Sequence, residues 1–279
     1  MNVLSQEKQA LVLSHLVEGV SIRSIERLTG VNRNTIMSLL VKAGEIAREI
    51  QDAQFVNLKS RFIQVDEIWT YCGKKQKQLT AEEKDGFYLG DQYVFVAIDS
   101  ETKLAPSFFV GKRNYPMALT IMNDLKYRIP SRFQLSTDSF TPYFNAVDRT
   151  FGEDVEYGQI HKIYQEDVRG EKRYSPASIR EVIIRPLIGN PTYHKISTSH
   201  IERQNLTMRM SMRRFTRLTN AFSKKFKNLE AAVSLHFFYY NFMRIHSSLR
   251  VTPAMEAKIT NRMWNWADLL NYSVVRKAV

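Results

Sequence analysis

The chain has 279 residues, 44% of them hydrophobic, a formal charge of +12 and a pI near 9.7. This length admits one large domain or two to three small ones, with apolar residues enough for a real core. A single cysteine, Cys72, excludes an internal disulfide and a cysteine-held structural zinc, and no apolar run reaches the roughly eighteen residues that argue a membrane span.

The basic balance points to a polyanionic partner, and the cysteine usage to a reducing, cytoplasmic setting, nucleoid-associated if the partner is DNA. The segment MNVLSQEKQALVLSHL carries Glu7, Lys8 and His15 inside its apolar pattern, so it reads as a helix and not as a signal peptide.

Residues 6–43 read as three short helices. Gly19 stops the first. Ser21 caps the second, which holds Ile22, Ile25 and Leu28. Gly30 makes a turn, and Asn32 caps the third, with Ile36, Leu39 and Leu40 inward. Helix, glycine turn and VNRNTIMSLL make a helix-turn-helix pattern, whose second helix would present Arg33, Asn34 and Thr35 to base edges. A helix-turn-helix domain is expected over residues 1–44, and a linker helix over 45–60.

The pattern then changes. RFIQVDEIWTYC, QYVFVAIDSET, LAPSFFVGK, RFQLSTDS and VEYGQIHKIYQ are rich in β-formers and read as five strands. NYPMALTIMNDLKYRI and TPYFNAVDRTFG read as helices, the second with a Thr cap and Pro in its first turn. This order predicts an α/β fold with a mixed sheet. Residues 169–193, with Pro176, Pro186 and Pro191, read as an inserted loop, and the insertion is placed at about 165–195. Two helices follow, STSHIERQNLTMRMSMRRF and FSKKFKNLEAAVSLHFFYYNFMRIH. The aromatic run Phe237, Phe238, Tyr239, Tyr240 and Phe242 reads as core.

Three carboxylates stand out. Asp66 interrupts an apolar strand, Asp138 ends the fourth strand, and Glu202 is the one acid in an arginine-rich helix. Each has an ordinary structural explanation: turn, cap or helix dipole. Together they suit two hard cations, Mg²⁺ with Mn²⁺ as substitute, held by carboxylate oxygen. Strand alternation turns Glu67 away from the face of Asp66, which sets Glu67 aside together with Asp148. Arg203, Arg209, Arg213, Arg214, Arg217, Lys224, Lys225 and Lys227 cluster, flanked by Lys195 and Arg250, as a phosphate-binding face requires.

VDEIW, STDSFTPY and HIERQN resemble the three acidic motifs of insertion-sequence DDE transposases, within the retroviral-integrase, ribonuclease-H-like superfamily. YYNFMRIHSSLRVTPAMEA resembles the tail found there, and the nearest likeness is to the insertion-sequence-1 type. That group often carries an N-terminal zinc finger, for which this chain lacks the cysteines.

The resemblance implies a ribonuclease-H-like catalytic domain over 61–257, with a five-stranded mixed sheet, followed by a helical tail over 258–279. It also implies metal binding and catalysis by Asp66, Asp138 and Glu202, with Arg203, Asn205, Arg209 and Arg213 on DNA. Asp99, at the end of the second strand, and His200 are expected to support the acids. The implied partners are element-end and target DNA and a homodimer or larger assembly, with no membrane. The implied reaction is cleavage at element ends and transfer of the 3′-hydroxyl to target DNA. A related nuclease that does not join strands and a non-catalytic DNA-binding regulator remain alternatives.

Overall fold

The computed structural model describes residues 4–164, 179–216 and 219–276. It opens with α1 (Gln6–Val17), α2 (Ile22–Thr29) and α3 (Arg33–Gln54). Local chemistry sets their ends. The hydroxyl of Ser21 accepts from Ser24 N, Gly30 takes the left-handed conformation that closes α2, and Asn32 accepts from Asn34 N to start α3.

The third short helix and the linker helix expected from sequence are one helix. Gly44 lies inside α3, where a Cβ would sit 2.4 Å from Ala231 O. The glycine allows two helices to approach closely.

One mixed sheet follows, made of β1 (Phe62–Cys72), β2 (Gly90–Asp99), β3 (Ser107–Gly111), β4 (Gln134–Asp138), β5 (Glu156–Tyr164) and β6 (Ile179–Ile188), in the order β3-β2-β1-β4-β5-β6. β1–β2, β2–β3 and β5–β6 pair antiparallel, while β4 runs parallel to β1 and β5. Between β1 and β2 lies the four-residue α4 (Ala81–Lys84). The crossover helices α5 (Tyr115–Arg128) and α6 (Thr141–Phe151) connect β3 to β4 and β4 to β5.

The architecture is compatible with the ribonuclease-H-like expectation, but the sheet has six strands where five were expected. The added strand β6 falls in the segment read as an inserted loop. Pro186 argued against a strand, yet β6 is an edge strand, where a missing N–H is tolerated. Residues 165–178 of that expected insertion lie outside the described residues, as does Arg217.

The last helices are α7 (Ser199–Ser211), α8 (Phe226–Phe238), the short α9 (Pro253–Glu256) and α10 (Trp266–Arg276). The expected aromatic core holds for Phe237, Phe238, Tyr240 and Phe242, all buried, while Tyr239 is half-buried against it. Phe237 stacks on Phe108 at 4.6 Å and Phe242 on Phe55 at 5.4 Å. Burying each such ring contributes about 2 kcal/mol.

The tail motif has a structural role. Asn241, fully buried, accepts from Ala105 N and donates to Ala105 O, both at 3.0 Å, and reaches Gln51 Oε1 at 3.3 Å. The C-terminal helix returns to the N-terminal ones, with Trp266 Nε1 donating to Ser14 Oγ at 2.7 Å. No helix among the described residues is long and apolar enough to cross a membrane.

Candidate active site

β1 outruns its parallel neighbour. The last registered pair of β1 and β4 is Val65↔Thr137, so Asp66 lies one step beyond it and Asp138 ends β4. Oxygens of Asp66, Glu67 and Asp138 lie within 4.8 Å of one another. Alternation does send Glu67 to the opposite face, as the sequence implies. Past the end of the β4 ladder, however, its carboxylate still reaches Asp138, so alternation alone does not keep Glu67 away from the other two acids.

Each acid is held differently. Asp66 Oδ1 accepts from Glu67 N at 2.8 Å, and its Oδ2 accepts from Asn205 Nδ2 at 2.9 Å. Glu67 pairs with the Arg113 guanidinium and accepts from Tyr143 Oη at 2.8 Å. Asp138 Oδ1 accepts from Phe140 N at 3.0 Å, at the start of α6, and its Oδ2 faces Arg113 at 3.9 Å. The cap of α6 is therefore not the expected Thr141, which is already helical.

Burial raises the pKa of all three acids, and their proximity adds to it for Asp66 and Glu67. Burial, then Glu67 and Asp138, push the Asp66 carboxyl up to about 7 from an ordinary 3.8. Burial and then Asp138 also raise Glu67, and burial raises Asp138 despite the opposing Phe140 N–H and Arg113.

α7 is stapled across β1. Gln64 Oε1 accepts from His200 N at 2.9 Å and Ile201 N at 3.1 Å, and two residues along the same strand face Asp66 meets Asn205. Glu202 is near the acids but outside their cluster: it pairs with Lys162 and accepts from Thr198 Oγ1 at 2.6 Å, with its side chain 46% exposed.

Two expected supporting residues do not face the acids. In the antiparallel register Val96 is opposite Asp66 and Asp99 is opposite Ile63, so Asp99 lies about 10 Å along the strand. There its Oδ1 accepts from Glu101 N and Thr102 N, capping the β2–β3 turn. His200 directs its ring to Lys103 Nζ at 3.4 Å; burial and then Lys103 hold its pKa below the usual histidine value.

Arg33, Asn34 and Thr35 are exposed at the start of α3, Arg203 and Arg213 are exposed, and Arg209 lines a cavity beside the end of β1.

The donor set fits a hard divalent cation. All three clustered groups are carboxylates, their repulsion would be relieved by positive charge, and the buried Asn205 Oδ1 beside Asp66 has no hydrogen-bond partner. Asp66 and Asp138 are the more available pair, since Glu67 is engaged by Arg113 and Tyr143.

No family model matches the chain, and no curated protein matches it. A solved structure described as a cryo-EM structure of a piggyBac transposase synaptic complex with hairpin DNA aligns at a TM-score of 0.40 and 10% identity, over 100% of this chain and 73% of that chain. Similarity at this level assigns no family, and the narrower likeness to the insertion-sequence-1 type gains no support from it.

Proposed function

We propose that the protein is a DDE-type DNA transposase. The observation that carries the reading is the three-carboxylate cluster at the ends of β1 and β4, on a chain of charge +12. Asp66 and Asp138 would hold a Mg²⁺ ion with Glu67 behind them. A second ion would draw on Glu202, whose present partner Lys162 would have to yield. Bound there, the ions would activate an attacking oxygen and stabilise the leaving one at phosphorus.

The chain's own residues do the rest. Asn205 orients Asp66, Arg113 and Tyr143 orient Glu67, and the Phe140 N–H fixes Asp138. Arg203, Arg209 and Arg213 would neutralise phosphates of the element end, and Arg33, Asn34 and Thr35 would read its bases. A homodimer or larger assembly would bring two ends together.

The test uses labelled DNA from the flanks of this protein's gene, a plasmid target and Mn²⁺. Transposase activity predicts cleavage followed by joining to the plasmid. Cleavage without joining would mean a nuclease, and binding with neither would mean a regulator.

A further inference from the structure

β6 ends the sheet on one side, and among the described residues its outer edge pairs with no strand. The β5–β6 ladder is regular from Glu181 to Pro186, between two irregularities. Along this stretch Glu181, Val182, Arg185 and Pro186 are exposed, and Ile183 and Ile184 are half-buried. An open edge with this apolar content is a template for another strand. Val182, a strong β-former left 47% exposed, gains from being covered.

The charges on this edge say which strand fits it. Glu181 and Arg185 flank Ile183 symmetrically, and neither forms an ion pair among the described residues. A two-fold axis through Ile183, perpendicular to the sheet, sets a second β6 antiparallel to the first. Glu181 then faces Arg185 of the partner subunit, and Arg185 faces the partner's Glu181. Val182 faces Ile184 in the same way, and Ile183 faces its own copy. Residues opposed across such an axis share a sheet face, so the register can slip only in steps of two. A slip of two either way would set Ile183 opposite one of the charges. Pro186, which lacks an N–H, falls opposite Arg180 at the rim of this register, where it removes at most one hydrogen bond from each end.

We propose that β6 is a homodimer interface, through which two copies of this chain join their sheets edge to edge in that register. The occupant is a second copy because the charge pattern of the edge is complementary to itself when reversed. The pairing stands on strand chemistry and does not depend on the transposase reading. Its test uses no DNA, so either can fail alone.

The experiment is sedimentation equilibrium of the full chain, freed of nucleic acid, over roughly 1–100 μM, where an interface of modest size assembles. Wild type should rise from 32.5 kDa toward twice that mass. Glu181→Arg and Arg185→Glu, each alone, set like charges opposite one another and should weaken the dimer about tenfold. The double variant, and an equimolar mixture of the two single variants, should regain wild-type association, which a merely misfolded strand would not do. Ile183→Cys should form an intersubunit disulfide under mild oxidation and Val182→Cys should not, since only position 183 meets its own copy. The native Cys72 is buried and does not compete. A monomeric wild type would overturn the pairing, whichever other strand the edge then takes. Dimers indifferent to both charge reversals, or cross-linking as strong at position 182 as at 183, would place the contact elsewhere and overturn it too.

Discussion

Asp66→Asn should make the metal-free protein more stable while removing its catalysis. The Asp66 carboxyl titrates at about 7 in the fold, against an ordinary 3.8. Between these values the folded state keeps a proton that the unfolded chain releases. Stability from this group is therefore present at low pH and is lost as pH rises toward 7. Above both values the ionised site costs on the order of 4 kcal/mol, at about 1.4 kcal/mol per tenfold change.

The substitution removes the charge and keeps the shape. It takes away one acceptor oxygen, worth about 1 kcal/mol. Asn205 can turn its amide over and offer its unpartnered Oδ1 to the new N–H group. A net gain of about 3 kcal/mol corresponds to a Tm rise of roughly 5 °C in a chain of this size. Thermal unfolding at about pH 8 in EDTA measures it. Added Mn²⁺ should then raise the Tm of wild type and leave the variant where it was. A variant as stable as wild type in EDTA, or less stable, would show that burial and the neighbouring acids do not penalise the ionised Asp66, and would refute the reasoning.

Glu202→Gln should abolish DNA cleavage and leave the Tm within about 2 °C, because an exposed ion pair contributes about 0–1 kcal/mol; melting beside a cleavage assay checks both. Gly44→Ala should destabilise by roughly 1–3 kcal/mol in urea unfolding, since α3 and α8 must part to admit a methyl group. Asn241→Ala leaves the backbone N–H and C=O of Ala105 without their side-chain partner, and should lower the urea midpoint by the equivalent of roughly 2–4 kcal/mol. Arg33→Ala should weaken DNA binding by about 1–3 kcal/mol and relax its sequence preference, as anisotropy titrations on element-end and unrelated duplexes would measure.

Much of this arrangement is legible in the residues. Asp66 announces itself as a charge in an apolar strand and Asp138 as an acid at a strand's end, and the fold brings their oxygens together. The N-caps Ser21 and Asn32 and the turn at Gly30 act as their chemistry implies.

What escaped depends on neighbours that local pattern does not encode. Glu67 joins the cluster only because β4 stops short beside it. The need for glycine at position 44 appears only with the approach of Ala231. Pro186 reads as a loop until its strand proves to be an edge. Asp99 was misplaced because strand direction, and not residue type, decides which end of β2 faces Asp66.

The central claim is that the carboxylates at the ends of β1 and β4 perform metal-dependent chemistry on DNA. Its most direct test is cleavage of labelled flank DNA in Mn²⁺ by wild type and Asp138→Asn side by side, with DNA binding measured in the same samples. The account predicts cleavage by wild type only and similar binding by both. Equal cleavage by the two proteins would take Asp138 out of the site and contradict it.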